Sequence, residues 1–424
     1  MRSRRLVCAL VGALALAGQA RAEDPYPRIG GDPISSPHDY NRPEYQRDLA
    51  KLAVSVLAVY PGWKKSKQTI GVVAKNIHAI NPHSRVTVYV IAESFRLPAP
   101  EVWKPVEAKI DAERWWLTTP DGDKVLSDYG HGTYILNITP FARKDDDGHT
   151  FGQWFAGWVN EAYVERMPDL DGIYTDNVFW KPRRDGDWNR DGKIDSNKDP
   201  TVQRWFRTGY RQYADRLRDL MPPGKILLAN AADWVRPNAV ITEYEGVFDG
   251  GVLEGLIGKS YSIEGRQGWA AMMAGYRKVM AAFRGPKLGI FEQHGDKHDY
   301  QAMRYGLTSC LMDDGYYTFN DTASKNYGVN WFDEYDAKLG MPRNKPTSAW
   351  QKGVWRRDFD GGIALVNPKG NGRQEVTLEQ EFVKLKGAQA PSVNDGQTVR
   401  KVVLQDRDGI ILLRKKHTRH EEEH

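Results

Sequence analysis

The chain has 424 residues, with 60 Lys and Arg against 55 Asp and Glu, a formal charge of +5 and a mean hydropathy of −0.62. Four of the arginines and no acid lie in the first 22 residues, so the remainder carries +1, which removes the case for a nucleic-acid or membrane partner. Two cysteines, Cys8 and Cys310, sit on either side of that boundary, so no disulfide is expected within the remainder. Fourteen tryptophans and twenty tyrosines are a heavy aromatic load; such rings stack on sugars, but they also fill cores, and composition alone favours the core.

In chain order, Arg2, Arg4 and Arg5 precede an apolar run over 6–17, and Ala20-Arg21-Ala22 supplies small residues where a signal peptidase reads. This predicts a leader over 1–22, cut near Ala22, and an exported periplasmic or extracellular protein. The run is too short to span a bilayer, and no other stretch approaches that length, so no membrane insertion is expected. Residues 23–44, rich in Pro, Gly, Asp and Ser, read as an extended arm.

From 45 to 345 a short apolar run, a polar tip and a helical stretch repeat. The runs are 54–60, 86–92, 134–138, 172–175, 226–229, 251–253, 288–291 and 316–319, with amphipathic stretches such as 202–220 and 269–283 between several of them. Continuous apolar strands alternating with helices mean parallel strands covered on both faces, and eight units define an α/β fold, the (β/α)8 barrel. An open dinucleotide-binding sheet needs a Gly-rich loop after the first strand. Pro61-Gly62-Trp63-Lys64 stands there instead, so no organic cofactor is expected. Cys310, among Leu307, Leu311 and Met312, reads as a buried, inert thiol. Residues 346–417 show short strands with turns at Asp360-Gly361-Gly362, Asn371-Gly372 and Asp408-Gly409. They predict a small C-terminal antiparallel β domain, sandwich-like, before a charged tail over 418–424.

Barrel chemistry sits at the C-terminal ends of strands. Asp171-Gly172-Ile173-Tyr174-Thr175-Asp176 and Asp249-Gly250-Gly251-Val252-Leu253-Glu254 share one layout: a tight Asp-Gly entry turn at the bottom, a short strand, a carboxylate at the top. They count as strands four and six. Two carboxylates facing across a sugar are what glycosidic cleavage needs, one as acid and the other as nucleophile or base, so Asp176 and Glu254 are the candidate catalytic pair. A lone acid at a strand end could equally cap the next helix; two in matched settings favour catalysis.

The segment from Asp171 to Asn177 and the downstream Asp-Gly-Gly-Val-Leu-Glu resemble the glycoside hydrolase family 114 group, the endo-α-1,4-polygalactosaminidases and their relatives, including the hypothetical glycosyl hydrolase families. The resemblance implies a signal peptide, a (β/α)8 barrel and a catalytic acid pair on these two strands. A long insert after Asn177 and the C-terminal β domain depart from the polygalactosaminidases, which leaves the substrate open. Glu292, at the tip of strand seven, is a third acid candidate. Tyr60, Trp63, Glu93, Asn137, Asn177, Trp180, Asn230, Gln293 and Asn320 are the expected substrate-binding residues, a polar and aromatic ring suited to a polyhydroxylated ligand.

The run from Asp187 to Asp195 follows the first nine positions of an EF-hand or dockerin loop: Asp187, Asn189, Asp191 and Asp195 offer side-chain oxygens, Gly192 the turn and Lys193 a carbonyl. Lys198 stands where a bidentate acid belongs, and Asp199 comes one place late. A structural Ca2+ bracing a lid is expected. No His-x-His cluster stands at a strand end, and no Gly-x-Ser-x-Gly elbow is present. The expected protein is therefore an exported glycoside hydrolase acting on a carbohydrate. The alternative is an inactive carbohydrate-binding barrel of an envelope or exopolysaccharide system.

Overall fold

The computed structural model describes residues 24–58, 69–259, 261–323 and 328–415. It opens with a two-residue strand, β1 (Gly30–Gly31), the short helices α1 (Pro37–Tyr40) and α2 (Pro43–Leu49), and β2 (Val54–Leu57). There follow α3 (Ile70–Ile80), β3 (Arg85–Ile91), β4 (Ser94–Arg96), α4 (Lys104–Glu113), β5 (Thr133–Ile135), α5 (Phe151–Val159), β6 (Gly172–Asp176) and α6 (Pro200–Leu220). Next come β7 (Ile226–Asn230), β8 (Gly250–Ile257), α7 (Ile263–Gln267), α8 (Trp269–Ala282), β9 (Leu288–Gly295), α9 (Tyr300–Cys310) and β10 (Tyr316–Asp321).

Eight of these strands form one parallel sheet in the order β1-β2-β3-β6-β7-β8-β9-β10. The Tyr317 N–H donates to the Arg28 carbonyl at 2.8 Å and Ile29 bridges Tyr317 in parallel, so the last strand returns to the first. The α/β barrel with a small C-terminal antiparallel β domain is thus the fold.

Two strands differ from expectation. Residues 134–138 are not in the barrel: β5 pairs antiparallel with β4, just beyond the tip of β3. A short apolar run does not distinguish a barrel strand from a hairpin edge, because both only need one covered face. The missing strand comes from the expected arm, where Gly30 and Gly31 pair with Val54 and Ser55. Two glycines carry no apolar signal, yet a Cβ on Gly30 would stand 2.8 Å from Val54, so the close approach demands them. One strand gained before β3 replaces one lost after it, so Asp176 and Glu254 still lie on the fourth and sixth barrel strands.

The shared Asp-Gly pattern has a different cause from the tight turn expected of it. Asp171 Oδ2 accepts the Val86 N–H at 2.7 Å, and Asp249 Oδ2 accepts the Leu227 N–H at 2.8 Å, so each hooks the start of the neighbouring strand. The glycine that follows lets the backbones close: a Cβ on Gly172 would stand 1.9 Å from the Ile226 oxygen, and one on Gly250 2.2 Å from that of Leu288.

Side chains alternate across each strand. Val54, Val56, Tyr174, Ile226, Leu228, Val252, Leu288, Ile290 and Tyr316 fill the barrel interior. Their neighbours, among them Val86, Val88, Val90, Ile173, Leu227, Phe291 and Tyr317, face the helices. The amphipathic α6 shows why the helices lie there. Val202, Phe206, Tyr210, Tyr213 and Leu217 recur every three or four residues on its buried face, Asp199 caps it by accepting the Thr201 N–H, and Pro200 begins it.

After the barrel come β11 (Trp355–Asp358), β12 (Gly362–Asn367), β13 (Gln374–Lys384), β14 (Thr398–Leu404) and β15 (Asp408–Arg414), one antiparallel sheet in the order β11-β12-β15-β13-β14. It is a single sheet rather than a two-sheet sandwich. Val354, Ile363, Leu365, Val376, Phe382 and Leu412 make its own small core, while Ala364, Val366 and Ile411 on the other face join the barrel's core. Buried Arg304 of α9 donates to the Gly409 carbonyl at 3.1 Å and to Asp408 at 3.1 Å, fixing the sheet to the barrel.

Candidate active site

The inward set continues one step beyond the apolar layer. Asp176 lies two residues after Tyr174, Asn230 two after Leu228, Glu254 two after Val252, Glu292 two after Ile290 and Asn320 four after Tyr316, so alternation turns all of them into the barrel mouth. Asp32 follows β1 in the same way. Both candidate acids also precede a left-handed residue: Asn177 has φ 55° and Gly255 has φ 66°. Asn tolerates that region through its short polar side chain. Gly255 is required there twice over, since a Cβ would lie 2.1 Å from the Tyr261 ring. The pairing of β8 with β9 slips between Leu253 and Ile257, a bulge that aims Glu254 into the cleft.

Asn230 joins the pair. Its Nδ2 donates to Asp176 Oδ1 at 2.8 Å and to Glu254 Oε2 at 3.3 Å, while its Oδ1 accepts the Ala232 N–H at 3.1 Å and fixes the amide's orientation. The Tyr89 hydroxyl donates to Asp176 Oδ2 at 2.6 Å and that of Tyr174 to Oδ1 at 3.5 Å. Glu254 is open to the cleft but walled by protein on most sides. That enclosure first, and then the charges of Glu292 and Asp176, raise its carboxyl above the ordinary value, opposed by Asn230 and His294.

Two buried groups flank the pair. On one side Asn177 Nδ2 donates to Glu93 at 3.1 Å, and the Tyr129 hydroxyl donates to Asn177 Oδ1 at 3.2 Å. Burial pushes the Glu93 carboxyl up to about 7, against the pull of Asn177 and Arg183. On the other side Asn320 Nδ2 donates to Asp32 and to Glu292, each at 3.1 Å. Burial, then the neighbouring Glu292 charge, holds Asp32 well above the usual carboxylate range. Glu292 also accepts the Gly255 N–H, and the His294 Nδ1 stands 3.6 Å from it. The hydrogen bond with Glu292 raises the His294 imidazole, working against its burial.

A cavity of about 630 Å³ opens at Glu254, with Asn230, Asn177, Trp180, Tyr129 and Tyr261 also in its walls. Its size suits a sugar ligand. Asp176, Glu254, Glu93, Asn177, Trp180, Asn230, Glu292 and Asn320 are thus brought to one mouth. Asn137 and Gln293 do not join the acid pair at this mouth. Asn137 is buried, donating to the Trp188 carbonyl and accepting from Thr139, because its segment lies outside the barrel. Gln293 points to the helices, between the Ala302 carbonyl and the Tyr317 hydroxyl, since it follows inward Glu292 by one residue. Tyr60 and Trp63 lie outside the described residues. Sequence reasoning missed Tyr89, whose signal is its place in the inward set of β3, and Asp32, which sits in a segment with no strand pattern.

Beside the cleft, the insert is anchored by fully buried Trp188, whose ring meets that of Phe206 at 5.7 Å. Asp187 accepts the N–H groups of Asp191 and Gly192, and Asp195 that of Asn189. Asp199 serves as the N-cap of α6, accepting the Thr201 N–H. Elsewhere, Asp145, Asp147 and His149 bring their ligand atoms within 4.8 Å of one another, a spacing that could hold a metal. Among the described residues no helix is long and apolar enough to cross a membrane.

A strand-end acid pair in an α/β barrel defines the class, a glycosidase-like barrel protein. Residues 78–363 match the hypothetical glycosyl hydrolase family 15, and the chain belongs to that family. No curated protein matches it. Among solved structures it is similar to the glycoside hydrolase domain of PelA from Pseudomonas aeruginosa, at 12% identity and a TM-score of 0.43 over 72% of this chain and 99% of that one. It is also similar to the cycloalternan-forming enzyme from Listeria monocytogenes, at 10% identity and a TM-score of 0.47, over 91% of this chain and 41% of that one. The cycloalternan-degrading enzyme from Trueperella pyogenes gives 9% identity and 0.47, over 92% and 62%.

Proposed function

We propose that the protein is an exported glycoside hydrolase that cleaves a polysaccharide or oligosaccharide with retention of anomeric configuration. The observation that carries this reading is the single Asn230 nitrogen bonded to both Asp176 and Glu254. The two bonded oxygens can stand no further apart than those bonds, 2.8 and 3.3 Å, laid end to end. So close an approach supports the roughly 5–5.5 Å spacing of a retaining pair over the roughly 6.5–9.5 Å that leaves room for an inverting water. Glu254, with its raised carboxyl, donates its proton to the leaving glycosidic oxygen while the Asp176 carboxylate attacks the anomeric carbon, giving a glycosyl ester. Glu254 then takes a proton from water, whose oxygen displaces Asp176, restoring the Asp176 carboxylate and the protonated Glu254. The likeness of the two Asp-Gly segments to family 114 supports placing the pair on these strands.

The leader over 1–22 supports export. For the 187–195 loop, Asp187, Asn189, Asp191, Asp195 and the Lys193 carbonyl are hard oxygen donors that fit a calcium ion holding the insert beside the cleft. Proton NMR of the first product from a cleaved oligosaccharide tests the mechanism: the anomer of the substrate supports it, and the opposite anomer overturns it.

A further inference from the structure

A second cavity, of about 700 Å³, adjoins the first, and Arg266 lines both. His294 and Gly258, at the tips of β9 and β8, stand on its barrel side. The C-terminal sheet forms its far side, through Lys369 between β12 and β13 and Arg407 between β14 and β15. Lys259, Arg266, Lys369 and Arg407 therefore converge from three separate stretches of chain.

Three carboxylates share this lining, and each is engaged. Buried Glu264 lies 3.6 Å from Arg407 and accepts from the Tyr305 hydroxyl. Asp296 accepts the His298 N–H at 2.9 Å, and Asp299 caps α9 by accepting the Ala302 N–H at 3.0 Å. Among the described residues, no ion pair ties up Lys259, Arg266 or Lys369; Arg266 lies over the Tyr261 ring, 5.0 Å from its centroid. Free cations in a walled cleft attract anions, and an arginine fork matches a carboxylate or sulfate. The Tyr261 ring beneath Arg266 lines the first cavity.

We infer that the second cavity is a subsite for an anionic sugar residue, a uronate or a sulfate ester, on the same glycan that the acid pair cuts. The inference rests on the hydrolase reading and names its substrate class: an acidic glycan gripped by both the barrel and the C-terminal sheet. It assigns that sheet a part in binding.

The test is titration of the full-length Asp176→Asn protein with oligogalacturonate, oligomannuronate and sulfated galactan hexamers, each beside its neutral carboxyl-reduced or desulfated counterpart. At least one acidic hexamer should bind ten times more tightly than its counterpart, with affinity falling as salt rises. Lys259→Glu combined with Lys369→Glu, both exposed positions, should remove most of that preference while the melting temperature holds. Equal binding of acidic and neutral hexamers, or a preference unchanged in the double variant, overturns the subsite. Turnover by the unmutated protein separates the two readings. Acidic hexamers bound but never cut would sink the hydrolase and leave the subsite; neutral glycans cut without acidic preference would do the reverse.

Discussion

Asp176 and Glu254, 78 positions apart in the chain, are bonded by one nitrogen, Nδ2 of Asn230 at 2.8 and 3.3 Å. Asp176 ends β6 and Glu254 stands at the bulge of β8, and each is followed at once by a left-handed residue. The amide is itself oriented from behind by the Ala232 N–H, so the spacing of the two acids is a property of the backbone of three strands.

Removing that amide should therefore uncouple the pair without unfolding the barrel. Asn230→Ala is expected to lower kcat by roughly 10²-fold, the cost of a misplaced catalytic group, with little change in KM. A kcat within twofold of the unmutated enzyme would show that Asn230 does not set the geometry.

The alkaline limb of the activity profile should report Glu254. Its carboxyl is raised by enclosure and then by the Glu292 charge, and it must be protonated to act as the acid. Taking away a like charge lowers its pKa, so Glu292→Gln should move the alkaline limb to lower pH. A limb that stays in place, or moves up, would assign the proton elsewhere.

Stability should carry a separate signature from Glu93, buried and raised from 4.5 to about 7. A carboxyl raised in the folded state contributes stability that is complete below its unfolded pKa and lost as pH climbs through the folded one. From pH 4.5 to 8 this group should cost on the order of 3 kcal/mol, and Glu93→Gln should abolish that part of the decline. Urea unfolding at pH 5 and pH 8 measures it; parallel declines in the two proteins would refute the assignment.

How far the sequence disclosed all this depended on which signals were periodic. The matched segments carrying Asp176 and Glu254 were legible because a buried strand is a continuous apolar run and an acid that follows it stands at the strand's C-terminal side, where barrel chemistry sits. Asp32 was not, because β1 is two glycines selected for close approach to Val54 rather than for burial of side chains. Asn137 and Gln293 lie away from the acid pair for reasons of pairing and facing. Alternation along β9 would have separated Gln293 from Glu292, whereas the pairing of β5 with β4 is decided by tertiary contacts that a short run does not encode. The Asp-Gly repeat pointed to the right strands for a different reason from the one expected, since the aspartates hook neighbouring strands rather than form turns.

The calcium reading of the 187–195 loop is checked by chelation. Removing the metal should lower the melting temperature and expose Trp188, which is fully buried beneath the insert. An unchanged melting curve, with no metal found by elemental analysis, would leave the loop held by its own N–H donors alone.

The most direct test of the acid pair is release of reducing ends from a panel of acidic, neutral and amino-sugar polysaccharides by the unmutated protein, by Asp176→Asn and by Glu254→Gln. The account predicts turnover of at least one polymer by the unmutated protein. Each variant should lose at least roughly 10³-fold while keeping its fold and its affinity for that polymer. Turnover that survives either substitution, or none by the unmutated protein on any polymer it binds, would contradict it.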